Sequence, residues 1–330
     1  MRHALLLLAI LGCAPAAEDD LAVDSNALQV YPSPSVPWHF SILPSSTSGL
    51  LPAPDDGPIG AGTNDDYRPN RGHEVYRPAM GPCLAPCSHK LVLFIPGHNS
   101  TPVGLTAFLK VAADQGYHVI GIDYPNPVNI TQICTTSSTC FGDVRAEVTF
   151  ANDTSDPIPL QTHPQDAIIK RLKALLLYLE QIDPFGGWGN FLDEDPSFED
   201  GVRPHYASIV VAAHSLGTGY AGYIAKKFAV NRVVLLAGML DGVDGDPPAS
   251  AAWIAGHATP SSAYYGLIHI DDTGNDRFAR STNNWSTLGM PASHQRVSWE
   301  PCSGTCSPHN SVAQDEATYG GWWRWMLGTP

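Results

Sequence analysis

A chain of 330 residues, 43% of them hydrophobic, holds enough apolar material for one large core with no cofactor needed to organise it. Lysine and arginine number 18 against 32 aspartates and glutamates, a net charge of −14 that repels phosphate backbones and anionic bilayer surfaces at long range. Nucleic acid is thereby excluded as an expected partner.

The first residues form an address. Arg2 and His3 precede an apolar run, Ala4 to Leu11, which is too short to span a bilayer and ends in Gly12 and Cys13. The ending Ile-Leu-Gly-Cys resembles the lipobox of bacterial lipoproteins, so residues 1–13 are expected to be a signal peptide with Cys13 as the lipidation site; cleavage after Ala16 or Ala17 is the competing reading. Either outcome makes the mature protein exported, lipid-anchored in the cell envelope or secreted, and confines membrane contact to that N-terminal anchor. Residues 14–75, rich in Pro, Ser, Gly and Asp, suggest a tether with irregular edge strands at Ala27 to Tyr31 and His39 to Leu43, leaving 76–330 as the main folded domain.

From Lys90 onward, apolar runs alternate with helical periodicity, the pattern of an α/β doubly wound, mostly parallel sheet covered on both faces. Strands are expected at Lys90 to Ile95, His118 to Ile122, Ile209 to Ala213, Arg232 to Ala237, Tyr264 to Ile270 and Gln295 to Trp299. Helices are expected at Val103 to Gln115, Gln165 to Ile182 and Leu216 to Phe228; in the second, Ile168, Leu172, Leu175, Leu176 and Leu179 share one face while Lys170, Arg171 and Lys173 mark the other. Sheets of this kind present their sites at the carboxyl ends of the strands. Six cysteines remain after Cys13, in three close pairs: Cys83 with Cys87, Cys134 with Cys140, Cys302 with Cys306. Local disulfides that pin individual loops are expected in an exported chain; a zinc site from Cys83, Cys87, Cys302 and Cys306 is the alternative.

The chemistry concentrates at VVAAHSLGTGYAGYIA, residues 210–225, where an apolar strand runs through Ala213-His214-Ser215-Leu216-Gly217 into a helix. A serine at such a bend needs small residues two positions before and after it, and here these are Ala213 and Gly217. Earlier, Pro96-Gly97-His98-Asn99 leaves the Lys90 to Ile95 strand, and later the turn Asp271-Asp272-Thr273-Gly274 and the segment CSPHNSVAQD supply a carboxylate and His309. Together these residues resemble the α/β-hydrolase superfamily, and within it exported bacterial hydrolases that share a Pro-Gly segment, a stretch like CFGDVRAEVTF and a short H-S-x-G elbow; the resemblance covers about Cys83 to the C-terminus.

That resemblance implies a serine hydrolase with Ser215 as nucleophile, His309 as base and Asp272 as the acid that orients it, and an oxyanion hole from the amides of Leu216 and His98. Asp271, Asp241 and Asp276 are alternative acids, His294 and His257 alternative histidines, and Asn99 an alternative donor. The implied substrate is a small-molecule or polymeric carboxylic ester, cleaved by an esterase or lipase-like enzyme. An amidase or peptidase on the same residues, and a non-catalytic surface protein that binds through loop aromatics such as Tyr124, Phe185, Trp188, Trp285, Trp322 and Trp323, are the competing readings. No P-loop, G-x-G-x-x-G or H-E-x-x-H occurs, so neither a cofactor nor a metal is implied.

Overall fold

The computed structural model describes residues 37–48, 70–79, 90–134, 137–151, 162–196, 198, 201–245, 248–302 and 306–330. Eight strands, β1 (Trp38–Ile42), β2 (His73–Arg77), β3 (Leu91–Ile95), β4 (His118–Gly121), β5 (Ile209–His214), β6 (Arg232–Leu236), β7 (Tyr264–His269) and β8 (Gln295–Ser298), form one sheet in the spatial order β1-β2-β4-β3-β5-β6-β7-β8. β2 runs antiparallel to both its neighbours, and β3 to β8 are parallel throughout. The helices that cover it are α1 (Thr106–Asp114), α2 (Cys140–Phe150), α3 (Ile168–Ile182), α4 (Gly217–Lys227), α5 (Arg277–Leu288), α6 (Pro308–Gln314) and α7 (Glu316–Leu327). The expected doubly wound architecture is the one observed.

The two-residue period of the strands sorts side chains between two cores. Leu91, Leu93 and Ile95 of β3 join Val211 and Ala213 of β5 in packing against the apolar faces of α2, α3 and α4. Val92, Phe94, Val210 and Ala212 point the other way, against Phe108 and Leu109 of α1 and Trp323 and Met326 of α7. Both faces of the central strands are therefore dry, which is why their sequences are continuous runs of apolar residues.

Polar side chains buried at the sheet's antiparallel edge depart from the sequence expectation. β2 carries His73, Glu74 and Arg77, all buried, and so shows no strand pattern in the sequence. Each has a partner: His73 Nδ1 accepts from the Asp123 amide at 2.9 Å, Glu74 meets His39 at 2.6 Å, and Arg77 meets Asp183 at 3.0 Å. β2 spans residue 75, and β1, which overlaps the strand expected at His39 to Leu43, pairs with it as the outermost strand of the same sheet. On α3 the expected solvent face is only partly so: Arg171 is buried, its Nη2 2.8 Å from Asp166 and its Nη1 donating to the Asp123 carbonyl at 2.9 Å.

Cys134–Cys140 and Cys302–Cys306 are disulfides, with Cα separations of 5.5 and 5.4 Å. Pairing Cys302 with Cys306 removes two thiolates from the zinc arrangement. Cys83, Cys87, Cys13 and the strand expected at Ala27 to Tyr31 lie outside the described residues.

Candidate active site

β5 ends at His214, and the chain then turns through Ser215 and Leu216 into α4. Ser215 sits at that turn with φ of 55°, a left-handed conformation that costs a non-glycine residue about 1–2 kcal/mol. The bend is held from several sides. The Ser215 amide donates to the Leu236 carbonyl at 2.9 Å, and a Cβ on Gly217 would stand 2.2 Å from the Ile95 carbonyl oxygen. Gly217 is thus required by the backbone at the end of β3. Gly97 is equally constrained, since a Cβ there would lie 2.9 Å from that of Ser215.

His309, on the first turn of α6, brings Nε2 to 2.7 Å from Ser215 Oγ and Nδ1 to 2.6 Å from Asp272 Oδ2. Asp272 is buried in the turn after β7, and its other oxygen accepts from Arg277 Nε at 2.6 Å. Burial by itself would raise the Asp272 carboxyl; the hydrogen bonds and positive charges of His309 and Arg277 outweigh that and hold it below the ordinary carboxylate range. Ser311 and Asn310 amides cap onto Ser307, so α6 itself fixes the imidazole's position. His214 adds a second support from beneath: its Nε2 donates to the His309 carbonyl at 2.9 Å. Desolvation, reinforced by the nearby His309, pushes His214 down to about 3, so it is neutral at physiological pH.

The alternatives considered from the sequence go elsewhere. Asp271 is exposed, and its Oδ2 is 3.9 Å from His269 Nδ1. Asp276 is exposed at the start of α5. His294 stacks on Tyr265 at 4.0 Å, and His257 contacts the Tyr264 hydroxyl at 2.5 Å. Of the two loop amides, that of Asn99 donates to the Asn126 carbonyl at 3.0 Å, which leaves His98 the freer donor beside Ser215.

Trp188, Trp285 and Trp323 are fully buried with their indole N–H groups donated to Asp183, Gly238 and Val312. Tyr124, also buried, donates its hydroxyl to the Pro96 carbonyl at 2.8 Å and so supports the Pro-Gly turn from below.

The cavity over Ser215 measures ≈ 390 Å³ and is lined by Gly97, His98, Leu216, Leu240, Arg277 and His309 among others. None of the described residues between Asp183 and Tyr206 lines it.

A serine at the strand-to-helix bend after β5, a carboxylate after β7 and a histidine after β8, on a sheet of this strand order, decide the architecture. The chain has the α/β-hydrolase fold. No protein-family model and no curated protein sequence matches the chain. Solved structures similar to it include a dienelactone-hydrolase-like protein from Klebsiella pneumoniae, at 9% identity and a TM-score of 0.46 over 88% of this chain and 97% of that one. A 2,6-dihydroxy-pseudo-oxynicotine hydrolase is similar at 16% identity and a TM-score of 0.40, over 78% and 65% of the two chains.

Within this α/β-hydrolase fold, several residues that sequence reasoning had not placed at the site turn out to hold it. Arg145 is buried beside the elbow; it donates two hydrogen bonds to Asp241, at 2.9 and 2.6 Å, and one from Nη1 to the Leu216 carbonyl at 3.0 Å. Trp253 donates to the same Asp241 at 2.9 Å, so this carboxylate is an anchor for the elbow and lies away from His309. Asn126 donates to the carbonyls of Gly97 and Ser100 at 2.7 and 2.8 Å, and Arg71 in turn donates to Asn126 at 2.9 Å. The position of Asn126 in Asp-Tyr-Pro-Asn, just past a strand's carboxyl end, was the available signal for it.

Proposed function

We propose that the protein is a serine hydrolase that cleaves carboxylic esters through an acyl-enzyme. The observation that carries this reading is the continuous line from Asp272 through His309 to Ser215, with contacts of 2.6 and 2.7 Å. In the reaction, Ser215 Oγ attacks the ester carbonyl while His309 Nε2 takes its proton, and Asp272 holds the imidazolium that results. The tetrahedral oxyanion is received by the amides of Leu216 and His98. Collapse breaks the bond to the alcohol oxygen, which leaves with the proton from His309. Water then attacks the acyl-enzyme, giving its proton to His309, and release of the carboxylic acid restores Ser215.

Burial of Trp188, Trp285, Trp323 and Tyr124 weighs against the competing view of a surface protein that binds through its aromatics, of which Phe185 is exposed. The two disulfides suit an oxidising compartment and support export, with Cys13 as the proposed lipid anchor. A fluorophosphonate probe tests the central claim: it should label the wild type and leave Ser215→Ala unlabelled, with p-nitrophenyl acetate and butyrate hydrolysed only by the former. Labelling that survives the substitution refutes the proposal.

A further inference from the structure

The cavity over Ser215 has an unusual charge. In a protein with a net charge of −14, its lining includes two arginines, Arg277 and Arg280, and no aspartate or glutamate among the described residues. Only Leu105, Leu216 and Leu240 offer it aliphatic side chains of any size; amides and hydroxyls such as Asn129, Thr131, Asn275 and Asn310 make up much of the rest. A lipid chain has little to gain there, since apolar burial needs apolar walls.

The two arginines lie three residues apart at the start of α5, so they emerge on one side of that helix. Arg277 uses Nε to hold Asp272, and among the described residues no other atom of its guanidinium has a hydrogen-bond partner. Arg280 is only 6% exposed, yet the carboxylate it pairs with, Asp244, has a side chain 78% exposed. Its Nη1 donates to the Gly242 carbonyl, and its buried Nε has no partner among the described residues. A buried guanidinium whose counter-ion stays in water keeps most of its desolvation cost, and a second anion beside it recovers part of that cost. Planar guanidinium groups match a carboxylate in two parallel hydrogen bonds.

Resting on the esterase reading, we infer that the preferred substrate is a short ester that also carries a free carboxylate, bound through Arg277 and Arg280. The cavity of ≈ 390 Å³ sits at the small end of the range for ligand sites, about 300–1,000 Å³. The protein's overall negative charge does not oppose this at contact range. Screening cuts off exposed charges beyond about 8 Å at physiological ionic strength, whereas the two arginines act within hydrogen-bond reach.

The test compares matched esters by pH-stat: monomethyl glutarate against methyl valerate for a carboxylate on the acyl side, and acetoxyacetate against acetoxyacetamide for one on the alcohol side. In at least one pair the charged ester is expected to have kcat/KM about tenfold higher or more, carried in KM. In Arg280→Gln that ratio should fall toward one. Glutarate should also inhibit the wild type competitively, less strongly as salt is raised, while glutaramide should not, so the inference stays testable if the variant fails to fold. Equal or reversed ratios in both pairs overturn it, as does an unchanged ratio in a folded Arg280→Gln. Failure of the probe to label Ser215, with none of the four esters cleaved, would instead remove the esterase reading beneath it.

Discussion

Arg145 offers the sharpest test of how the elbow is held. Its guanidinium is wholly buried, bound bidentately by Asp241 and donating to the Leu216 carbonyl, and it lies 4.1 Å from the centre of the Tyr220 ring. Replacing it with methionine keeps much of the volume but leaves Asp241 as a buried charge whose side chain retains, among the described residues, only the Trp253 indole as a donor. Breaking one side of such a pair is expected to destabilise the fold by about 3–5 kcal/mol. Asp241→Leu alone strands the guanidinium and should cost a similar amount. The double variant Arg145→Met, Asp241→Leu buries no charge, so the two single losses together should exceed that of the double by about 2–3 kcal/mol. Urea unfolding followed by tryptophan fluorescence measures all three. The folded double variant should still lose about tenfold or more in kcat on p-nitrophenyl acetate with little change in KM, because the Leu216 carbonyl is released and the bend behind Ser215 relaxes. Additive stabilities would refute the coupling, and a double variant with wild-type kcat would refute the positioning role.

Asp272→Asn should lower kcat by about 10⁴ with the fold intact, whereas Asp271→Ala should leave it nearly unchanged; the reverse order would reassign the acid. Gly217→Ala drives a methyl group to 2.2 Å from the Ile95 carbonyl, so the elbow must shift and kcat should fall by about 10² or more, read as loss of probe labelling rate. His214 is neutral in the fold, at about 3, and protonates near 6.5 when unfolded, so protons bind preferentially to the unfolded chain. Its effect on stability is absent above pH 6.5 and grows as pH falls toward 3, reaching about 2 kcal/mol at pH 5. His257, lowered to about 4, and His73 act in the same direction, each chiefly through desolvation. Stability should therefore drop steeply below pH 6.5, and His214→Gln should reduce that slope by about one proton's worth, ~1.4 kcal/mol per pH unit. An unchanged slope would show that His214 is protonated in the native state.

The parts of this protein legible in its sequence are those governed by local rules. Continuous apolar runs such as Leu91 to Ile95 and Ile209 to Ala213 can only be strands dry on both faces, and the small residues around Ser215 mark a bend that little else produces. Chain order then pointed to His309 and to the turn after β7, because a parallel sheet delivers successive loops to one edge. What local rules cannot reach is the pairing of charges across the interior. β2 was invisible because His73, Glu74 and Arg77 look like surface residues until His39, Asp123 and Asp183 arrive from far along the chain. As sequence, Asp272 was the chosen acid and Asp241 an alternative to it, each an aspartate following a strand. Only the folded chain sets Arg145 against one and His309 against the other, since a buried carboxylate's role is decided by which partner neutralises it.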